Sequence, residues 1–199
     1  MNLVERTQAI ILKPKEEWVK IKGESTPVAQ LFMSYAAILA LIPAVAQFIG
    51  YGLIGFKVPF LGFIRFPIGR ALFLLVESYV SALLSVYIYG FVINALAPNF
   101  GSKQNLESAM KLAVYCLTPA WISGVFYIFP SLSWLVIIGA LYGLYILYLG
   151  FASPMMETPP DKVMSYFVVS LVIVVAILIV FALIRSAIFF TGGGIYPGF

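Results

Sequence analysis

The sequence predicts an all-α membrane protein: a bundle of five transmembrane helices preceded by a short N-terminal interfacial helix. Of the 199 residues, 62% are hydrophobic and only 10% are charged, and the mean hydropathy is +1.03, a balance that no ordinary water-soluble domain shows. Five apolar runs are each long enough to cross a bilayer as a helix. Connections rich in Gly, Pro or charge separate these runs.

The N-terminal segment, residues 1–26, carries a large share of the charge. Pro14 suits the first position of a short helix, which places Glu16 and Glu17 near the positive end of the helix dipole. Trp18 and Ile21 form an apolar edge that we expect to lie on the membrane surface. The alternative is a solvated segment, and we interpret the two glutamates as a solvated helix start rather than a catalytic pair.

The first apolar run covers residues 28–49. Pro43 lies inside it and predicts a kink, because its ring crowds the preceding turn and one backbone hydrogen bond is lost. Glycines end the run. Aromatic and basic residues fill the connection to Pro67, which we expect to be an irregular loop along the membrane.

The second run, residues 70–96, carries the one acidic side chain expected inside the membrane, Glu77. Ser81 and Ser85 follow at four-residue spacing, so a carboxyl group and two hydroxyl groups share one helical face. An ionisable group in hydrocarbon is costly unless it finds a partner or water, so we expect other helices to supply one.

The third and fourth runs, residues 112–129 and 132–151, are separated by a short turn and predict an antiparallel hairpin. Glu107 and Lys111, four residues apart, suit helical turns at the water interface just before the third run. Pro119 lies near the centre of that run and predicts a second kink.

Three glycines mark the fourth run. Gly139 and Gly143 form a G-x-x-x-G pair, and Gly150 lies further along nearly the same face. Small residues at this spacing let helix backbones approach closely. We interpret the face as tight internal packing first and as a dimer interface second.

The fifth run, residues 163–184, is rich in Val and Ile and is followed by Arg185. Glycines dominate the C-terminal residues and predict a flexible tail. The predicted organisation is therefore an N-terminal segment (1–26), a five-helix membrane domain (27–190) and a tail (191–199).

The basic residues predict the orientation. With a cytoplasmic N-terminus, eight of the 12 Lys and Arg residues fall inside and four outside, so the positive-inside rule places the C-terminus outside the cell membrane. Glu77 and Arg185 then lie at similar depth in the outer leaflet. We predict that they pair, with Arg70 or Arg65 as the next candidates.

Composition also limits the chemistry. The chain has no histidine and a single cysteine, Cys116, so it lacks the commonest metal ligand and general base and cannot form an intrachain disulfide. We expect no metal, no cofactor and no enzymatic activity. The basic residues behind the net charge of +4 lie beside apolar runs. Membrane topology and contact with anionic lipid headgroups explain this position better than nucleic-acid binding does.

Three stretches resemble a known family. The sequence ILKPKEEW at residues 11–18, followed by the first run opening at residues 26–28, resembles the start of bacterial Yip1-family membrane proteins. The sequence VYCLTPAW at residues 114–121 resembles the tyrosine-to-proline motif of that family, and YILYLG at residues 145–150 resembles the end of its fourth helix.

The resemblance implies an integral membrane, non-enzymatic protein. Eukaryotic relatives are associated with vesicle traffic and Rab-type GTPases through a long cytosolic N-terminal region. Here that region is residues 1–26, so the resemblance does not imply GTPase binding.

Two functions of different classes remain open. The first is a protein that organises the membrane, a partner protein or its own oligomer through helix contacts and its interfacial N-terminus. The alternative is a small channel or transporter that uses the polar face of Glu77, Ser81 and Ser85, with Pro43 and Pro119 opening backbone carbonyls to a cavity. Both require the lipid bilayer as a partner.

Overall fold

The structure is a computed structural model that describes residues 2–58, 60, 62–152 and 155–191; the side chains of residues 58, 181–182 and 184–191 fall outside that description. Five described helices are long and apolar enough to cross a membrane, which confirms the predicted helical membrane bundle. Spans 1 to 5 cover Val28–Ile54, Ile68–Phe100, Leu106–Ile128, Pro130–Ala152 and, within the longer helix Val163–Thr191, Val163–Val180. Two shorter helices precede them: α1 (Leu3–Leu12) and α2 (Pro14–Gly23). The predicted tail lies outside the described residues from position 192 onward.

Local sequence starts α1 and α2, which we call the N-terminal helix pair. Asn2 and Glu5 form a capping box at the start of α1. The Asn2 side chain accepts hydrogen bonds from backbone N–H groups of the first helical turn, and the Glu5 side chain accepts one from the backbone N–H of Asn2. Pro14 occupies the first turn of α2, with two glutamates beside it and two lysines in the last turn, as the helix dipole favours. The segment therefore holds two helices where the sequence predicted one.

Span 1 stays helical through Pro43 but changes its winding on either side. The α-helical part, Ala37–Gln47, contains the proline, and wider π-helical turns flank it at Phe32–Ala36 and Phe48–Ile54. Prolines and π-turns are both recognised causes of helix bending. The helix ends at Gly55, whose φ of +80° glycine adopts without strain.

A small β-hairpin connects spans 1 and 2, so the expectation of an irregular loop was wrong. Strand β1 (Phe56–Val58) pairs antiparallel with β2 (Gly62–Ile64). Strands of three residues are too short to give a clear alternating pattern in the sequence. Aromatic rings support the base of the hairpin, because the ring centroid of Tyr51 lies 5.4 Å from that of Phe56 and 5.8 Å from that of Phe66.

Span 3 lies at the centre of the bundle: 67% of its most apolar window is buried, the largest share among the five spans. Asn105 caps its start by accepting a hydrogen bond from the N–H of Ser108. The helix therefore begins at Leu106, ahead of the apolar run, and includes the turns expected at Glu107 and Lys111. Its winding is interrupted at Leu117, just before Pro119.

Aromatic side chains join spans 2, 4 and 5 at one end of the bundle. Tyr166 of span 5 stacks on Phe100 with ring centroids 4.8 Å apart and meets Phe151 edge-on at 4.6 Å. Its hydroxyl donates a hydrogen bond to the carbonyl of Ile93. The buried Tyr166 therefore fixes three spans together.

Candidate functional site

The N-terminal helix pair lies against the bundle. Trp18 and Ile21 are fully buried, and the Trp18 indole N–H donates to the carbonyl of Ile146 in span 4 at 3.0 Å. The Tyr142 hydroxyl of the same span donates to the carbonyl of Ile11 at 2.6 Å. Trp18 and Ile21 thus face the spans, whereas the sequence led us to expect an edge on the membrane surface.

A buried ion-pair network holds α1 to α2. Arg6 Nη1 lies 2.5 Å from Glu17 Oε1, and the two side chains are 6% and 1% exposed. Arg6 Nη2 donates to both carboxylate oxygens of Glu24. The interpretation of Glu17 as part of a solvated helix start was therefore wrong.

The same contacts keep Arg6 charged. Burial by itself lowers the pKa of the guanidinium, but the hydrogen bond to Glu24 and the charges of neighbouring groups raise it, and the net shift in pKa is upward. A buried guanidinium that is paired with two carboxylates has its charge satisfied without water.

A second network joins the end of α2 to span 3. The buried Lys111 ammonium donates to Glu107 at 2.7 Å, to the carbonyl of Ile21 at 3.3 Å and to the carbonyl of Glu24. Glu107 also accepts the backbone N–H of Thr26 at 2.8 Å. Lys111 is therefore buried among α2 and span 3 rather than solvated at the water interface.

The connection between spans 4 and 5 reaches the same end of the bundle. Lys22 Nζ of α2 lies 3.1 Å from Glu157 Oε1, and Lys103 Nζ, between spans 2 and 3, lies 3.8 Å from that oxygen. The hydrogen bond from Lys22 and the charge of Lys103 hold the pKa of Glu157 below its usual value. The helix pair and two connections thus meet at one end.

A polar pocket of about 220 Å³ lies between α1, span 1 and span 3. Its polar lining comes from Arg6, Glu24, Thr26, Gln30, Ser34 and Tyr35. The Tyr115 ring forms a further wall, with its centroid 5.7 Å from the Arg6 guanidinium carbon and 4.8 Å from the centroid of the Tyr35 ring. The Tyr35 hydroxyl lies 2.9 Å from Thr118 Oγ1.

The predicted polar residues of span 2 share one face. Ser81 Oγ donates to Glu77 Oε1 at 3.4 Å, and Ser85 Oγ donates to the carbonyl of Ser81 at 2.7 Å. The side chain of Arg185 lies outside the described residues, so its pairing with Glu77 stays a prediction. Arg70 places its guanidinium carbon 4.5 Å from the centroid of the Phe66 ring.

An apolar cavity of about 340 Å³ lies between spans 2, 3, 4 and 5. Tyr89, Leu147 and Val174 are among its lining residues, and of the predicted polar face only Ser85 reaches it. This cavity and the polar pocket share no lining residue. The polar face of span 2 and the polar pocket are therefore separate features.

The glycines of span 4 face span 3. A Cβ atom added at Gly143 would lie 2.5 Å from the backbone oxygen of Cys116, and one at Gly139 would lie 2.1 Å from Ser123 Oγ. A Cβ at Gly150 would lie 2.3 Å from Leu112 Cδ2. Contacts this short leave no room for a side chain, so the glycine face is occupied within the molecule.

The two prolines lie where spans meet. A Cβ added at Gly124 of span 3 would come within 2.6 Å of Pro43 Cβ, and one at Gly139 would come within 2.6 Å of the Pro119 carbonyl oxygen. Pro43 therefore borders the contact between spans 1 and 3, and Pro119 borders the contact between spans 3 and 4.

The residues that the sequence did not reveal are the buried charges. Glu17 is 11 positions from Arg6 and Glu24 is 18 positions from it, separations that match no helical neighbour spacing. One signal was available: residues 1–26 contain five basic and four acidic side chains, a near balance that suits mutual pairing. The partners could not be assigned without the fold.

The buried charged side chains at this end of the bundle form ion pairs. Among the described residues, no group of three or more Cys, Asp or Glu side chains is placed to hold a metal ion. The buried charges pair with one another, which fixes structure and leaves hydrogen-bonding groups facing the polar pocket.

Comparisons with known proteins match most of the chain to membrane proteins. The family model described as "Yip1 domain" matches residues 9–184, a range that includes α2 and all five spans. The chain is 28% identical over 143 residues to the inner membrane protein YohC of Escherichia coli strain K12, covering 70% of this chain and 73% of YohC. YohC of Escherichia coli O6:H1 strain CFT073 matches with the same identity and coverage. No solved structure matches the chain significantly.

Proposed function

Since this chain belongs to the Yip1 domain family of membrane proteins, we propose that it organises partner proteins, or copies of itself, within the membrane and has no enzymatic role. We place it in the inner membrane, because its relative YohC is named an inner membrane protein. The proposed contacts are made between helices inside the bilayer.

The exposure of span 2 carries this proposal. Only 11% of its most apolar 18-residue window is buried, against 22% to 67% in the other four spans. Its exposed large side chains recur every three or four residues and form one stripe along the helix. They are Ile68, Leu72, Phe73, Val76, Val80, Leu84, Tyr87 and Phe91.

The other surfaces that the sequence offered for contacts are used internally. The glycine face of span 4 packs on span 3, where Gly143 adjoins the backbone of Cys116. Trp18 and Ile21 of the N-terminal helix pair are buried against the bundle. This favours the span 2 stripe as the surface that meets a partner helix.

The orientation forms part of the proposal. Lys22, Lys103 and Lys111 lie at one end of the bundle, together with the N-terminal helix pair. A basic end favours the cytoplasmic side, where anionic lipids also attract lysines. We therefore place the N-terminus in the cytoplasm and the β-hairpin outside.

Photo-crosslinking in native membranes tests the contact surface. A benzophenone amino acid at Val80, which is exposed on span 2, should yield protein adducts larger than the monomer. The same group at Val172, which is similarly exposed but on span 5, is the matched control and should yield none. Adducts to lipid or monomer alone at Val80 would remove the support for a partner contact there.

A further inference from the structure

The start of span 1 leads us to place the polar pocket at the depth of lipid headgroups. Span 1 begins at Val28, and Gln30 and Ser34, which line the pocket, are exposed on its first two turns. At about 1.5 Å per residue, Ser34 lies about 9 Å along the helix from Val28. The interfacial layer of a bilayer is roughly 5–8 Å deep on each side. The pocket therefore faces the layer where headgroups and acyl chains meet.

The pocket has a built polar lining. Arg6 and Tyr35 are each more than nine-tenths buried. The hydrogen bonds of Arg6 to Glu17 and Glu24 use its two terminal nitrogens, so the Nε–H donor lies outside those bonds. The Gln30 amide and the Thr26 hydroxyl add donors to the lining. These groups can hold a phosphate.

The same pocket offers an acceptor for a cation. The Glu24 side chain is 39% exposed although it binds Arg6, so a carboxylate with further acceptor capacity borders the space. Ser34 also lines the pocket, and its hydroxyl, which donates to the Gln30 carbonyl, keeps acceptor capacity. An ammonium group with several N–H donors can pair with the Glu24 carboxylate and this hydroxyl oxygen.

The charges around the pocket sum to zero. The charged side chains that line it are Arg6 and Glu24, one of each sign, and they pair with one another. A headgroup with a net charge gains no overall attraction from such a cluster. A headgroup that carries one charge of each sign finds a partner for both.

We propose that this pocket binds the phosphoethanolamine headgroup of a membrane phospholipid, with the ammonium at Glu24 and the phosphate at Arg6, Thr26 and Gln30. The volume of about 220 Å³ exceeds the roughly 150 Å³ of a cavity that holds benzene, so a small headgroup fits. Choline is disfavoured because its trimethylated nitrogen has no N–H to donate. A glycerol headgroup is disfavoured because it brings no cation to Glu24. The proposal depends on the membrane position of span 1 and not on the partner contacts of span 2.

Lipid retention measured by native mass spectrometry tests the proposal. The full chain, purified in detergent, is mixed with equal amounts of dioleoyl phosphatidylethanolamine, phosphatidylcholine and phosphatidylglycerol. We expect phosphatidylethanolamine to be retained about tenfold more strongly than either of the others. Equal retention of all three would show nonspecific surface lipid, and preference for phosphatidylglycerol would show an anion site; both results overturn the proposal.

A matched pair of substitutions tests whether the lipid binds in the polar pocket. Ser34→Phe puts a ring into the pocket from its exposed side and leaves the ion pairs intact, so it should abolish the preference. Met33→Phe adds a similar ring next to it on an exposed position, 78% accessible, that is outside the pocket lining, and it should keep the preference. Thermal unfolding of both variants checks that the bundle is folded. Wild-type preference in folded Ser34→Phe would overturn the assignment.

A soluble competitor distinguishes the lipid from a free metabolite. Glycerophosphoethanolamine carries the same phosphodiester and ammonium groups without acyl chains. It should fail to displace the lipid at millimolar concentration, because it lacks the acyl chains that keep the lipid in the micelle beside the pocket. If the soluble compound displaced the bound phosphatidylethanolamine at a concentration equal to that of the lipid, the proposal that a lipid is the natural occupant would be overturned.

Discussion

Arg6 shows how single residues hold the N-terminal helix pair in place. Its guanidinium lies between the carboxylates of Glu17 and Glu24, in a setting with little water. A buried ion pair adds little net stability over an apolar packing of the same shape, but removing one partner leaves an uncompensated buried charge. The network therefore makes one arrangement of α1 and α2 much more favourable than its alternatives.

Replacing Arg6 by alanine should lower the free energy of unfolding by about 3–5 kcal/mol, because the buried Glu17 carboxylate loses its buried partner. It keeps only the exposed Lys20 ammonium, 3.4 Å away, as a counter-charge. The comparison variant is Lys13→Ala, whose exposed ammonium lies 3.9 Å from Glu16; it should change stability by less than about 1 kcal/mol. Chemical unfolding in detergent, followed by tryptophan fluorescence, measures both. Equal effects would contradict a special role for Arg6.

At the scale of single residues, the sequence was informative only where partners are close along the chain. The spacing of Glu77, Ser81 and Ser85 predicted a shared face, and the structure shows hydrogen bonds along it. The partners of Lys111 in α2 are 87 and 90 positions away. Such contacts are set by tertiary folding, on which local patterns carry no information.

Elements were predictable where hydrophobicity alone decides them. Each of the five spans is an apolar run, and a bilayer accepts such a run only as a helix with its backbone hydrogen bonds satisfied. The polar turns before the third apolar run were expected to be helical, and the Asn105 cap fixes their start at Leu106. The β-hairpin was missed because its strands have three residues each. Boundaries and short strands depend on local hydrogen bonds that composition does not report.

Gly143→Ala should destabilise the contact between spans 3 and 4. The added Cβ would lie 2.5 Å from the backbone oxygen of Cys116, and because a backbone atom cannot rotate away, we expect a cost of about 1–3 kcal/mol. Gly69→Ala near the start of span 2 is the control, since nothing lies within 4 Å of its added Cβ; it should be neutral or slightly stabilising. The midpoint of thermal unfolding distinguishes the two, and a neutral Gly143→Ala would contradict the close packing.

For the whole molecule, the arrangement of charge defines two different ends. One end gathers the N-terminal helix pair, Lys103 and Glu157. The other end carries the β-hairpin, where Lys57 lies, and the start of span 2, where Arg70 lies over Phe66. The excess of lysines at the first end is the physical basis for the proposed orientation.

Thiol labelling of intact cells tests that orientation. A membrane-impermeant maleimide should label Lys57→Cys in the β-hairpin and should not label Lys15→Cys in α2 until the cells are lysed, because both positions are exposed on the protein but lie on opposite sides of the membrane. Cys116 is buried and gives little background. The reverse labelling pattern would invert the topology.

The contact between Trp18 and Ile146 joins positions 128 residues apart, and this separation has a consequence for how the protein is made. α1 and α2 are synthesised before the spans they pack against, and their contacts with the bundle are completed only after span 4 has been synthesised and inserted. Until then α2 lacks the hydrogen bond from Trp18 to span 4, while span 3 already offers Lys111. The completion of these contacts is therefore a late step in biogenesis, and it marks a chain whose first four spans are all in place.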